Sequence, residues 1–426
     1  MAPRTPPTAG SGPAPSAPVT APTGARGTSG SAVLRPRRRP GQLGPVHLIQ
    51  LLLAESAIVA VAAVLGRGLV VLAAAVLGAL LLLLVTLGRR QGRWWVERLL
   101  MNRAYRRRRR GVATVAAGTD PRLTALRALA PGLVVQDVSL AAGGRVGVAR
   151  DDAGWYAVAA LQPGTPGGPT EGDINLDALA AALAEADQPG AVLQVVLQTV
   201  PAPSIDAHPS SPAGQSYRQL LTGFDTPPVP ADRQTWIAVR LDARSLAEAT
   251  VDQRADLELA PAVVAALLRR VVKPLRRAGL GYRLLDADEL VQALLNSCDL
   301  DPAGTLDPHA ASPREEWSAW HSGRLVHRSY WIRSWPEVSQ AGGLLGWLGS
   351  APSAMTTVSL FLAPEDTDGL IDLRGLVRVA APANELTPLC QALVRGAEQR
   401  QATLFPLDGE QGPAVYATAP TGGGAR

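Results

Sequence analysis

Apolar residues run almost unbroken from Val46 to Leu87, interrupted only at Gly66-Arg67-Gly68. The second arm, Leu69 to Leu87, carries no charged residue. At ~1.5 Å per residue it matches the ~30 Å hydrocarbon core of a bilayer. The first arm, Val46 to Leu65, is similar in length but contains His47, Gln50 and Glu55. The break is long enough only for a tight turn, so the pattern predicts a two-helix transmembrane hairpin over residues 43–88. Beyond it the apolar runs shorten. Val134 to Leu140, Arg145 to Arg150 and Trp155 to Leu161 read as strands, the last two joined across Asp151-Asp152-Ala153-Gly154 as a hairpin. Asn175 and Asp177 open an Ala/Leu-rich helix reaching Ala186, and Ala191 to Val200 is a continuous apolar run suited to a strand buried on both faces, as in a parallel sheet. Short helices are expected at Gln215 to Leu221 and Asp225 to Pro230. Trp236 to Leu241 (strand), Ala260 to Ala278 (helix, stopped by Gly279) and Gly281 to Leu285 (strand) suggest a βαβ unit. A helix over Asp286 to Asn296 follows, then strands over Val326 to Trp335, Met355 to Leu362 and Leu370 to Ala380, and a helix over Glu385 to Gln401. No internal repeat is evident in the sequence.

The fold class expected is therefore a membrane-anchored α/β protein: a hairpin, a basic juxtamembrane segment at 89–112 and a mixed α/β domain at 113–416. Residues 1–42 are rich in Pro, Ala, Gly, Ser and Thr and lack apolar periodicity, so they are expected to be a disordered tail, as are residues 417–426. Charge divides the chain. Residues 1–110 hold 17 arginines against Glu55 and Glu97, a balance of +15, so the rest carries +5 − 15 = −10. Arginines fence the hairpin on both sides, at Arg35, Arg37, Arg38 and Arg39 and at Arg89, Arg90 and Arg93. Both ends should then be cytoplasmic, with the turn outside and Trp94 and Trp95 at headgroup level in the plasma membrane. Arg103, Arg106, Arg107, Arg108, Arg109 and Arg110 form a cluster worth about 1 kcal/mol per residue against anionic lipid headgroups. The acidic remainder and the lack of interleaved aromatics argue against nucleic acid.

Several chemistries find no support. Lys273, the only lysine, is followed by Pro274, so no P-loop exists. Gly143-Gly144 and Gly342-Gly343 lack dinucleotide spacing and read as turns, and no GxSxG elbow occurs. Cys298 and Cys390 show no CxxC spacing and are expected to be buried and reduced. His321 and His327, near Glu315 and Glu316, lack the spacing that places two metal ligands on one helical face, so surface or interface positions are expected for them. Asp286-Ala287-Asp288 after a strand is the sharpest enzymatic lead, because such a pair can hold a divalent ion on a nucleotide-sugar diphosphate, as in a membrane-anchored glycosyltransferase. The same residues suit a helix cap, with Asp286 capping and Glu289 completing a capping box. No catalytic residue, metal or cofactor is expected on the preferred reading. Trp317, Trp320, Trp331 and Trp335 crowd one segment, and Glu55 sits mid-hairpin without a basic partner. These five are the candidate interface residues, core packing being the competing account of the tryptophans.

The order of features resembles the EccE subunit of type VII (ESX) secretion systems. Trp236-Ile237-Ala238-Val239-Arg240-Leu241-Asp242-Ala243 with Leu285 to Leu290, and Trp317-Ser318-Ala319-Trp320 with His327-Arg328-Ser329-Tyr330-Trp331-Ile332-Arg333-Ser334-Trp335-Pro336, carry the resemblance together with the hairpin. The family's glycine-rich turn before the long helix is replaced here by Asp252 to Pro261. The resemblance implies a non-catalytic structural subunit of an actinobacterial membrane complex with EccB, EccC and EccD, in which EccC supplies the ATPase.

Overall fold

The computed structural model describes residues 46–66, 68–87, 93–111, 120–140, 143–162, 174–201, 230–249, 253–302, 312–364 and 370–423, with shorter pieces at 33–36, 42–43 and 89–90 and between 212 and 219. Most of the tail expected at 1–42, the side chains of Trp94, Trp95 and Arg110, and most of the two short helices expected at 215–230 lie outside the described residues. Helix α1 (Leu48–Ala62) packs on α2 (Leu69–Leu87), and Ala57 of α1 is buried. Gly66 and Gly68 turn the chain with φ of +103° and +100°, a region that favours glycine. Counting only described residues, no helix is long and apolar enough to cross a membrane; the described side chains of α2 end at Leu81. Helix α3 (Trp95–Gly111) carries the arginine cluster, and α4 (Pro121–Arg127) starts at an Asp120 cap.

The rest is one thirteen-stranded sheet with helices on both faces. Its first part contains β1 (Val134–Ser139), β2 (Arg145–Asp151), β3 (Gly154–Leu161), α5 (Leu176–Ala184), β4 (Ala191–Pro201), β5 (Pro230–Asp242), α6 (Gln253–Val271), β6 (Tyr282–Leu284) and α7 (Ala287–Cys298). The second contains β7 (Arg314–Glu315), β8 (Trp320–His321), β9 (Val326–Ser334), α8 (Val338–Gly349), β10 (Met355–Pro364), β11 (Leu370–Ala381), α9 (Ala383–Gln399), β12 (Thr403–Pro406) and α10 (Gln411–Thr418). Apart from two short helices present only in the first part, Ala243–Ala249 and Lys273–Arg277, the two parts have the same order of elements. In the first, β5 lies between β3 and β4 while β6 pairs the other edge of β3; in the second, β11 lies between β9 and β10 while β12 pairs the other edge of β9. Each is a βαββαβ split unit of the ferredoxin-like kind, preceded by a β-hairpin and followed by one helix. Antiparallel pairing of β4 with β10 joins them into a continuous sheet, with Val196 opposite Ser359. The repeat absent from the sequence is present in the topology.

Period-two alternation assigns the faces. Ile237, Val239 and Leu241 of β5 enter the core beneath α5 and α6, whereas Trp236 and Ala238 enter the one beneath α4, α7 and α10. Helices α8 and α9 cover the second unit on the same side as α5 and α6, around Val358, Val377 and Val379.

Several expectations need correction. Strand β4 is buried on both faces, yet both its neighbours are antiparallel; two helical layers bury it, not parallel pairing. The βαβ unit is split, since β5 and β6 flank β3 instead of pairing. Gly342-Gly343 lies inside α8, where packing of Leu344 and Leu348 overrides a helix cost of about 1 kcal/mol per glycine. Helix α6 begins at Gln253 and contains Pro261. Val33–Pro36, expected in the disordered tail, pairs in parallel with residues 370–373. Residues 417–422, expected in a disordered end, are buried, because strand side chains satisfy their main-chain groups.

Candidate functional site

Spacing along α3 decides what each arginine can do. Arg98, Met101, Tyr105 and Arg108 recur at three- and four-residue intervals and form the stripe turned to the domain. The Tyr105 ring meets Trp317 edge-on, 5.5 Å between centroids at 89°, and the Arg98 guanidinium lies 5.8 Å over Trp317. Arg108 grips Glu315 in a two-pronged bond, at 3.1 Å from Nε and 3.0 Å from Nη2, and also donates at 2.5 Å to the Gly409 carbonyl. Gly409 has φ +83° and lies against the Trp317 ring, where a Cβ would approach to 2.8 Å. Arg108 is thus committed to the protein and not to headgroups. Arg103, Arg106, Arg107 and Arg109 remain exposed.

The four tryptophans do not form one surface. Trp320 is a core residue at 4% exposure, out of a partner's reach. Trp335 packs against two cores and abuts Gly375, and Trp331 is half-buried on β9. Glu55 lies exposed on α1. His327 is fully buried, not superficial: its Nε2 lies 3.3 Å from Asp299 Oδ2, and Ser322 and Arg324 donate to the same carboxylate at 2.5 and 2.6 Å. Burial opposes the Asp299 charge, but the His327 hydrogen bond and Arg324 outweigh it and hold this carboxyl well below its usual range. Burial lowers His327, and pushes the Cys298 thiol up to about 11.

Asp286 caps α7: its Oδ1 accepts from Glu289 N at 2.9 Å, and Glu289 Oε2 accepts from Asp286 N at 3.2 Å. Asp288 points to solvent and pairs with Arg122 at 2.9 Å. No group of potential metal ligands occurs among the described residues.

The most elaborate polar chemistry crosses between the two units, and sequence reasoning missed it. Arg240 of β5 pairs with Asp151 and donates at 2.7 Å to the Thr421 carbonyl beyond α10. Asp151 also accepts from Ala153 N, Gly154 N and, at 3.0 Å, the Tyr416 hydroxyl; Tyr156 lies 2.9 Å from Tyr416. Burial pushes both tyrosines up, so they stay protonated donors. Gln194 completes the grip, donating to the Ala417 and Ala419 carbonyls and accepting from Thr421 N and Gly422 N. In the opposite direction Arg378 of β11 donates to the Ser297 carbonyl in the last turn of α7. Each unit therefore holds the segment at the end of the other's terminal helix, and Arg378 meets the negative end of the α7 dipole.

The family model described as "Putative type VII ESX secretion system translocon, EccE" matches from the start of β5 into β9. Residues 229–332 match the EccE family. No curated protein matches the chain. The EccE segment contains Arg240, the Asp286 cap, Ser297, Glu315, Trp317 and the Asp299–His327 pair. It thus supplies the receiving side of the α3 joint and runs from the core of the first unit into the second. The signal for the straps was an arginine inside an apolar run of each of two strands, Arg240 within Trp236 to Leu241 and Arg378 within Leu376 to Ala381.

Proposed function

We propose that the chain is a membrane-anchored, non-catalytic structural subunit of a type VII secretion complex, working beside EccB, EccC and EccD subunits. The match of residues 229–332 to EccE carries this reading. The surface supports the anchor. Among the described residues, ten of the fourteen exposed large aliphatic side chains lie between Ile58 and Leu81, a concentration that suits lipid and not water. Helix α2 runs 19 residues without a charge, or ~28 Å. Arginines at both ends favour cytoplasmic termini. A non-catalytic role agrees with Asp286 serving as a cap and Asp288 pairing with Arg122. Purification of the tagged full chain in mild detergent from cells carrying the secretion system should recover EccB, EccC and EccD. Recovery of the folded chain without them would refute the assignment.

A further inference from the structure

Helix α3 has two opposite faces, and the hairpin and the domain account for only one. The stripe Arg98–Met101–Tyr105–Arg108 is taken up by Trp317, Glu315 and Gly409. On the other side Leu99 and Leu100 are 71% and 61% exposed, and Arg103, Arg106 and Arg107 follow them over the next two turns. At 100° per residue these five fall within one third of the helix circumference, centred opposite the docked stripe. Exposed leucines beside three unpaired-facing cations form neither a core nor an ordinary solvated face. They are the two components of a helix that lies in a bilayer surface, with leucines sunk among acyl chains and arginines reaching phosphate.

We infer that the outward face of α3, Leu99, Leu100, Arg103, Arg106 and Arg107, rests on a bilayer surface rich in anionic lipid. This builds on the hairpin reading, since α3 follows α2 within a few residues and both expose large apolar side chains. The sign of the charge selects anionic headgroups. Because the opposite stripe grips the domain, α3 becomes a saddle that holds the Trp317–Gly409 end about one helix diameter, ~10 Å, from the membrane. Arg108 is excluded from lipid by its bonds to Glu315.

The test uses the full chain in phosphatidylcholine vesicles with and without phosphatidylglycerol. Cys298 and Cys390 are buried, so a nitroxide can be placed at single sites through Leu100→Cys, Leu77→Cys in α2, or Gln391→Cys on the exposed side of α9. Accessibility to oxygen against a water-soluble relaxant should place the Leu77 site in lipid and the Gln391 site in water. The Leu100 site should move toward the lipid value when phosphatidylglycerol is present and return toward water when Arg103, Arg106 and Arg107 are all changed to Gln. A Leu100 site as wet as Gln391 while Leu77 is in lipid overturns the saddle alone. A wet Leu77 site overturns the hairpin itself, and the saddle with it. Shielding of Leu100 only after partner subunits are added assigns the face to protein and also overturns the proposal.

Discussion

The two units of the sheet share a topology but not a chemistry. In the first, the buried arginine of the central strand is neutralised: Arg240 pairs with Asp151, which is satisfied further by two main-chain amides and Tyr416. In the second, Arg378 is just as buried but has no carboxylate bonded to it; it donates to the Ser297 carbonyl and to Thr357, and its Nε and Nη1 have no partner among the described residues. Cross-strand neighbours differ accordingly, Tyr156 and Val192 flanking Arg240, Ser329 and Thr357 flanking Arg378. The comparison shows what a duplicated backbone must keep. A buried arginine bonded to a main-chain carbonyl of the other unit is common to both; the means of balancing its charge is not.

The largest expected effect separates the two arginines. Arg240→Met leaves Asp151 buried and unpaired, and should cost about 3–5 kcal/mol. Arg378→Met removes a cation whose hydrogen-bonding capacity is half used, and should cost about 1 kcal/mol or stabilise. Urea titration of the detergent-solubilised chain, followed by tryptophan emission, measures both. Equal losses would mean that the helix-end bond, not the ion pair, holds the first unit.

A smaller effect should come from the strap itself. Gly422 has φ +71°, and a Cβ there would approach Arg240 Cβ to 2.3 Å. Gly422→Ala should cost about 1–3 kcal/mol and loosen residues 417–423 selectively, which hydrogen exchange of the Thr421 and Gly422 amides would show. Unchanged protection would mean that the end of the chain is held by α10 packing alone.

These features explain which parts of the architecture could be read from the sequence. Apolar patterning gave β1 to β4 nearly to the residue, while β5 starts six residues before the expected Trp236, and the uncharged run gave α2 at its observed bounds. The Asp286 cap is local, spanning Asp286 to Glu289, and equally readable. The duplication is not, because the equivalent positions share only the arginine while Tyr156, Val192, Ser329 and Thr357 have no type in common. Helix α8 was missed because Gly342, Gly343 and Gly346 suppress its propensity and only tertiary burial of Leu344 and Leu348 restores it. The α3 joint depends on contacts spanning 207 residues between Arg108 and Glu315, which no local pattern contains.

The second unit should also carry a pH dependence. His327 is held neutral by burial, with its folded pKa below the ordinary value near 6.5. As pH falls the unfolded chain takes up this proton first, so stability is complete above the unfolded pKa and declines on acidification. Asp299, also lowered, adds a loss of the same sign at more acidic pH. Arg324, Arg378 and Ser322 surround the pair and do not titrate in this range. Between about pH 7 and pH 5 the wild-type midpoint should fall, and His327→Gln, which keeps a donor toward Asp299, should flatten the fall. A parallel slope in the variant would assign the dependence elsewhere.

The smallest effect contrasts the starts of the two terminal helices. Helix α7 opens on a complete capping box at Asp286 and Glu289, while α10 opens at Glu410 with no side-chain cap. Asp286→Ala should therefore cost about 1 kcal/mol, and Glu410→Ala only a few tenths. Asp288→Asn removes an exposed pair with Arg122 and should cost less than about 0.5 kcal/mol. The same three variants bear on function, because secretion should survive each of them if the aspartates serve only the helix. Loss of secretion in a folded and assembled Asp288→Asn protein would give the aspartate pair a chemical role that its cap geometry does not require.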